Sequence, residues 1–398
     1  MMSQTSAEQI RAWQGPAIFS FGFRPFFLFG ALWVVAAMVL WLGSLSGTIE
    51  LPTRFDPVSW HAHAFLFGYL GAILAGFLLT AVPNWTGRLP LVGWPLAALF
   101  ALWVAGRLAV LFSAMFPPAL AAFVDLAFPI ALGAVILQEI IAGRNWRNLM
   151  VLALLAVFTL ANMLFHIEAM QGGYAAQGVG LRLGVATAVM MIAVIGGRII
   201  PSFTRNWLAR TNITARPAPP MQRFDKLVLV ASAGVLGGWV LHPFGVWTGA
   251  ALVAFGAAHL ARLARWQGHR TLRDPLVWVL HAAYAFIPLG ALALGFEQLL
   301  GAPGTAGPQH LWMSGAIGAM TLAVMTRATL GHTGQALAAN GATVLIYGCV
   351  FGAAAARLCA PLWYEASYVA GGLWIAAFAG FVWSYGPSVM FAKPSLAK

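Results

Sequence analysis

The residues able to do chemistry in this chain are its nine histidines. The stretch "WHAH" puts His61 and His63 two residues apart at the mouth of a long apolar run. On a helix that spacing points two side chains about 200° apart. One imidazole can then face a bundle interior while the other faces a neighbouring helix or a second site. Neutral imidazole is a ligand for haem iron and for copper, and equally a hydrogen-bonding group. Depth along the apolar runs sorts the rest into an outer set (His61, His63, His166, His242, His310) and an inner set (His259, His281, His332). His269 lies in a basic loop. His310 and His332 share one run but would stand about 33 Å apart on a helix, too far to hold one atom. Within the inner set, His259 precedes Arg265 near one helix end, His281 follows Pro275 near the next helix start, and His332 sits in a glycine-flanked turn. Three imidazoles at one depth can form a copper site, or a hydrogen-bonded polar cluster with Arg198 and Arg327. His166, His242 and His269 are read as interfacial, solvated side chains.

The elements that must position these groups are apolar helices. Of 398 residues, 61% are hydrophobic and 8% charged, and the mean hydropathy is +0.82. Soluble domains carry about a quarter charged residues, so the chain is expected to be a membrane protein. The 17 Trp and 27 Phe suit interfacial belts and lipid faces. The first apolar run, 26–45, has no small-residue cleavage pattern and is read as a retained anchor. Cys349 and Cys359 share one run and would sit about 15 Å apart on a helix, so they are not expected to bridge. No CxxCH occurs, which excludes covalent haem of the usual kind.

Counting about 20 apolar residues per crossing predicts twelve spans: 26–45, 60–82, 94–115, 117–142, 147–167, 179–203, 224–243, 244–264, 275–299, 308–329, 336–357 and 362–390. The expected organisation is a short N-terminal segment (1–25), one transmembrane domain (26–390) and a short tail (391–398). The formal charge of +12 falls between the runs and not along a stripe with exposed aromatics, so nucleic acid is not an expected partner. Most of the 22 basic residues lie on one side if both termini are cytoplasmic. Among the exceptions, Arg107 lies near the outer end of the third span and Asp125 near the outer start of the fourth. A charge in lipid needs a partner, and the hairpin brings this pair to one depth.

Three helix ends echo one another every four spans: "PNWTG" at 83–87, "PSFTRN" at 201–206 and "GHTG" at 331–334. The spacing suggests three copies of a four-helix unit. Counting back equally from Thr86 and from Thr333 reaches His63 and His310, which thus occupy equivalent places at the outer ends of the second and tenth spans. The middle copy has Leu181 there, beside Arg182. The echo makes His63 and His310 candidates to clamp one metal. His61 would serve a second site or the edge of a macrocycle, and Arg54 or Arg182 would meet anionic substituents.

The motifs "GFRPFFL" (22–28), "WHAH" followed by "FG" (60–68), "FLLTAVPNWTG" (77–87), "IGGRIIPSFTRN" (195–206) and "GAIGAMTLAVMTRATLGHTG" (315–334) resemble the NnrS family of bacterial membrane proteins. The resemblance runs from about residue 20 to 340. It implies a multi-pass inner-membrane protein with haem and copper that acts in nitric oxide tolerance and denitrification. The family's histidines match His61, His63, His166, His281, His310 and His332, and its arginine motifs match Arg24, Arg198 and Arg327. One departure stands out: the family's acid after the second histidine is Ala64 here, with Glu50 or Asp56 as replacements. On this reading His63 and His310 hold a non-covalent b-type haem, and His259, His281 and His332 hold copper. The ligand would be nitric oxide, which partitions into lipid, and an unidentified donor would supply electrons for any turnover. A solute transporter, or a factor handling copper or haem for denitrification, is the alternative that twelve spans also suit.

Overall fold

The computed structural model describes residues 13–87, 90–301 and 306–391. Residues 1–12 of the N-terminal segment, Arg88 in the loop after the second span, and residues 392–398 of the tail lie outside them. Nearly all of the described chain is helical and none of it is in a strand. Twelve long helices follow one another: α1 (Phe23–Leu45), α2 (Pro57–Thr86), α3 (Trp94–Leu111), α4 (Pro118–Ala142), α5 (Trp146–Met170), α6 (Val179–Arg210), α7 (Arg223–Leu241), α8 (Val246–Ala264), α9 (Pro275–Leu299), α10 (306–332), α11 (Gly341–Cys359) and α12 (Ala366–Phe391). All but α10 are long and apolar enough to cross a bilayer. α10 is less apolar because it is buried along most of its length and carries Ser314, Thr321, Thr326 and Thr329 inside. Ser314 and Thr321 donate to carbonyls one turn back, a bond that settles a hydroxyl within its own helix.

Helix starts follow local chemistry. The Asp56 side chain accepts from Ser59 N at 2.9 Å with Pro57 in the first turn of α2. Asp274 and Asn340 cap α9 and α11 in the same way, and Gln222 and Asp225 form a capping box on α7. Such caps satisfy amides that have no partner inside the helix. The prolines mislead in the other direction. The second span is expected to end before Pro83 and the sixth at residue 203, yet the helices run on to Thr86 and Arg210, through Pro83 and Pro201. A proline removes one amide and one hydrogen bond, which leaves the carbonyls of Leu79 and Gly197 without helical partners and does not end a buried helix.

The helices that carry the echoed motif share a second feature. α2, α6 and α10 each contain a π-helical stretch, at Ala64–Leu70, Ile192–Gly196 and Leu311–Gly318. In each, the motif threonine donates to the carbonyl four residues back: Thr86 to Val82, Thr204 to Ile200 and Thr333 to Thr329. The echo is a relation among these helices and not a division of the packing, because the chain forms two compact units. The first takes in the described parts of Met1–Gly184, Met325–Ala336 and Phe378–Lys398; the second takes in Val185–Val324 and Leu337–Ala377. In the first unit Trp33 and Trp103 donate to the Ala64 and Gly68 carbonyls of the π stretch, at 3.0 and 2.9 Å. In the second, Arg262 donates to the Ala193 carbonyl at 2.8 Å. A widened turn releases carbonyls from the regular ladder, and inside a membrane they must be met by side chains.

Candidate metal centre

In the first unit, Arg107 and Asp125 form an ion pair across the α3–α4 hairpin. Gly106 permits it: a Cβ there would come within 2.9 Å of Asp125 Oδ1. Gly68 in the π stretch leaves the room that the Arg107 guanidinium occupies. Arg107 donates to Oδ1 of the carboxylate. The other oxygen, Oδ2, lies 3.1 Å from His63 Nε2, 3.0 Å from His166 Nε2 and 2.8 Å from Asn162 Nδ2. Asn162 Oδ1 also lies 3.0 Å from His63 Nε2. Asn162 and His166 are four apart on α5 and so share one face of it. All five side chains are buried, none more than 3% exposed. Phe55, Phe67 and Phe165 pack around the His63 ring at 5.3–5.7 Å between centroids. Pro129 stands four residues after Asp125 inside α4, which removes the amide that the Asp125 carbonyl would otherwise accept from.

This group has ligand character. The ligand atoms of His63, Asp125 and His166 all lie within 4.8 Å of one another. Two imidazole nitrogens and one carboxylate oxygen suit iron, copper or zinc. Beside them is a cavity of about 10 Å³ lined by Phe67, Gly71, Arg107, Asp125, Phe128 and Asn162 among others. That is room for one water-sized molecule.

His166 is therefore not the solvated interfacial residue expected from its place near a helix end. It is 3% exposed and bonded to a buried carboxylate. Ala64 is fully buried against Ala37, Trp60 and Val110. The acid beside His63 is Asp125 from α4, while Asp56 is spent capping α2. His61 stacks on Trp41 with ring centroids 4.4 Å apart. Arg54 donates to the carbonyls of Ser113 and Phe116, and Arg182 to that of Gln177, so each is engaged with loop backbone. His310 belongs to the second unit, and its Nδ1 lies 2.6 Å from the Ala306 carbonyl. Cys349 and Cys359 are both free thiols.

The inner histidines divide between the two units. His332 belongs to the first unit, packed against the rings of Phe21 and Phe23. His281 and His259 belong to the second, and each is held by hydroxyls. His281 Nε2 lies 2.8 Å from Thr204 Oγ1. Both nitrogens of His259 are taken, by Ser232 Oγ at 2.9 Å and by Tyr284 Oη at 2.7 Å. A hydrogen-bonded cluster formed there instead. Arg262 donates to Asp225 and to Tyr284, at 2.8 and 2.9 Å. Its guanidinium has no acceptor to offer Tyr284, so the phenol donates to His259 Nδ1. The Nε2 proton then goes to Ser232, whose own proton goes to the Val228 carbonyl at 2.6 Å. Asp225, Tyr284 and Ser232 gave no warning in the sequence, because hydroxyls and acids scattered over α7, α8 and α9 have no common spacing. For Asn162 a signal existed: it stands one helical turn before His166.

The chain is thus a multi-pass, all-helical membrane protein with a buried group of two histidines and an aspartate fit to hold a metal ion. The model of the NnrS family, described as NnrS protein, matches residues 17–393. The chain belongs to that family. A search of curated proteins found no match to it.

Proposed function

We propose that the chain is a metal-dependent protein of nitric oxide metabolism in the bacterial inner membrane, with copper or iron held by His63, Asp125 and His166. The observation that carries this reading is the convergence of three ligand-type side chains from α2, α4 and α5 in a buried interior. The donor set fits such an ion. Binding would take the two Nε2 protons out of the Asp125 hydrogen bonds, as ligation by imidazole requires. Arg107 stays on the far oxygen and holds the carboxylate turned toward the rings, while Asn162 fixes their approach. Phe55, Phe67 and Phe165 keep water from the group. Bound there, copper or iron would supply a coordination position for nitric oxide and a one-electron couple.

The same residues do not fit a haem at His63. Its Nε2 lies against Asp125 and Asn162, and the adjoining cavity of about 10 Å³ is far smaller than a macrocycle. His310 is the outer histidine whose form would suit holding a haem, since its Nδ1 proton is fixed by the Ala306 carbonyl. That leaves Nε2 as the ligand atom, the arrangement usual in ligating histidines.

Elemental analysis of detergent-purified protein is the test. Wild type is expected to retain a transition metal that His166→Ala and Asp125→Asn lose, with haem content measured separately. Equal metal in both variants would refute the centre. Anaerobic nitric oxide consumption with a supplied reductant then separates turnover from binding. The reading also places both termini in the cytoplasm, from the distribution of Lys and Arg. A C-terminal alkaline phosphatase fusion is expected to be inactive and a cytoplasmic reporter active; the opposite pattern would invert the topology.

A further inference from the structure

In the first unit the cavity of about 10 Å³ beside the His63–Asp125–His166 group lies between α2, α4 and α5, and its wall is mostly carbon, from Phe67, Gly71, Phe128, Leu132 and Leu155. The polar side chains around it are spent or shut in. Thr159 donates to the Leu155 carbonyl at 2.9 Å, and the Asn162 amide donates to Asp125. Asp125 is fully enclosed, and although Arg107 Nε and Nη1 have no partner, both are buried, Nη1 directly against Gly68. A buried water makes about three hydrogen bonds to otherwise unsatisfied groups, and an apolar void stays dry.

Gly71 makes the space. It is buried and helical, with φ −56° and ψ −42°, so the backbone there suits any residue. No neighbour forbids a side chain either: a Cβ would meet only Phe128 Cε1, at 3.9 Å. Alanine is the better helix former. What glycine leaves in place of a methyl group is the cavity. The wall reaches the surface of the unit at Pro129 and Thr159, which are half-buried. Both stand near the middle of their helices, α4 (Pro118–Ala142) and α5 (Trp146–Met170), so the opening faces the hydrocarbon core. Water is absent at that depth and charge is costly there.

We propose that this cavity receives a neutral diatomic gas, of the class of nitric oxide and dioxygen, directly from the bilayer core through the gap between α4 and α5. Size and wall chemistry set the class. A diatomic is little larger than the one water-sized molecule for which there is room, and it needs no hydrogen bond. Nitrite and nitrate carry a charge that a carbon wall does not compensate, and organic ligands are too large. Asp125 and Asn162 belong both to this wall and to the candidate metal centre, so the chamber holds gas one side chain from the ion. That role as an antechamber rests on the metal-dependent reading above; the binding of gas does not.

The test is methyl NMR of the full-length protein in detergent, under nitrogen and then under oxygen, whose paramagnetism broadens the methyl signals it touches. Leu132 and Leu155 should broaden more than Val34 and Ile73, which are buried near the middle of α1 and α2 and are not in the wall. Gly71→Ala puts a methyl group where the gas would sit. It should abolish the excess broadening and raise the melting temperature, the opposite sign from a damaging change. Thr159→Phe plugs the opening and takes up the adjoining space, and it gives up only a hydroxyl bond within its own helix. It should abolish the excess as well. His166→Ala should keep it, which separates failure of the chamber from failure of the metal centre. In metal-loaded protein, both cavity variants should retain the ion and take up nitric oxide more slowly in stopped flow. No excess at Leu132 and Leu155 in wild type, or an excess that survives both cavity variants, would overturn the proposal. Nitric oxide association at the wild-type rate in both would overturn the route.

Discussion

Arg107→Leu is expected to destabilise the protein by about 3–5 kcal/mol, because it leaves the Asp125 carboxylate buried and uncompensated. The carboxylate is fully enclosed and Arg107 is its one cationic partner among the described residues. Asp125→Leu should cost at least as much. It strands the guanidinium, and it also takes an acceptor from His63, His166 and Asn162 at once. For an isolated pair, replacing both members by apolar residues would restore most of the loss. Here the double variant should recover only part of it, since three further donors remain without their acceptor. Unfolding in mixed micelles, read as a double-mutant cycle, measures this: the two losses should fall short of adding, as they do for residues in contact. Strict additivity would mean that the pair contributes nothing as a pair. Arg107→Lys should fall between, because an ammonium keeps the charge but loses the planar fork.

The membrane fold was readable from the sequence because its signal is repetitive. Runs of about 20 apolar residues stand out over any window, and helices α3, α4 and α9 begin and end within a few residues of where those runs do. The hairpin pair was readable for a related reason. Two charges at one depth in lipid, on consecutive helices, have few other partners. What escaped was the third dimension. Depth placed His259 and His281 at one level, yet depth says nothing about which hydroxyls lie beside each ring; Ser232, Tyr284 and Thr204 took them. His63 was matched to His310 through the echo between α2 and α10. The echo is reflected in the π stretches and in the threonine bonds of those helices, while His63 and His310 fall in different units. The acid beside His63 was sought close in sequence, at Glu50 or Asp56. It came from two helices further on, where Gly106 lets α4 approach.

The second ion pair should matter as much as the first. Arg262 is fully buried and makes three bonds with one planar group: Nε to Asp225, and Nη1 to both the Ala193 carbonyl and Tyr284 Oη. Its guanidinium also lies over the Trp266 ring, 5.2 Å from the centroid. Arg262→Met removes all of these and leaves Asp225, 1% exposed, as a buried carboxylate with the Gln222 amide still donating to it but without its cationic partner, so a loss of about 3–5 kcal/mol is expected. The π stretch of α6 would lose the donor that meets its released carbonyl as well. Arg262→Lys keeps a charge for Asp225, but one ammonium on a flexible stem does not reach three acceptors arranged for a fork. It should recover less than half of the loss. Tyr284→Phe is the milder break: Asp225 keeps its partner and Arg262 Nη1 keeps the Ala193 carbonyl, while His259 Nδ1 loses its donor and Arg262 one of its acceptors, at about 1–3 kcal/mol. The expected order of stability is therefore wild type, Tyr284→Phe, Arg262→Lys, Arg262→Met. Should Arg262→Lys equal wild type, the charge alone would hold α6, α7, α8 and α9 together and the three-way geometry would be incidental. Should Tyr284→Phe be the worst of the three, the proton order through His259 and Ser232 would be holding these helices, and the ion pair would be secondary.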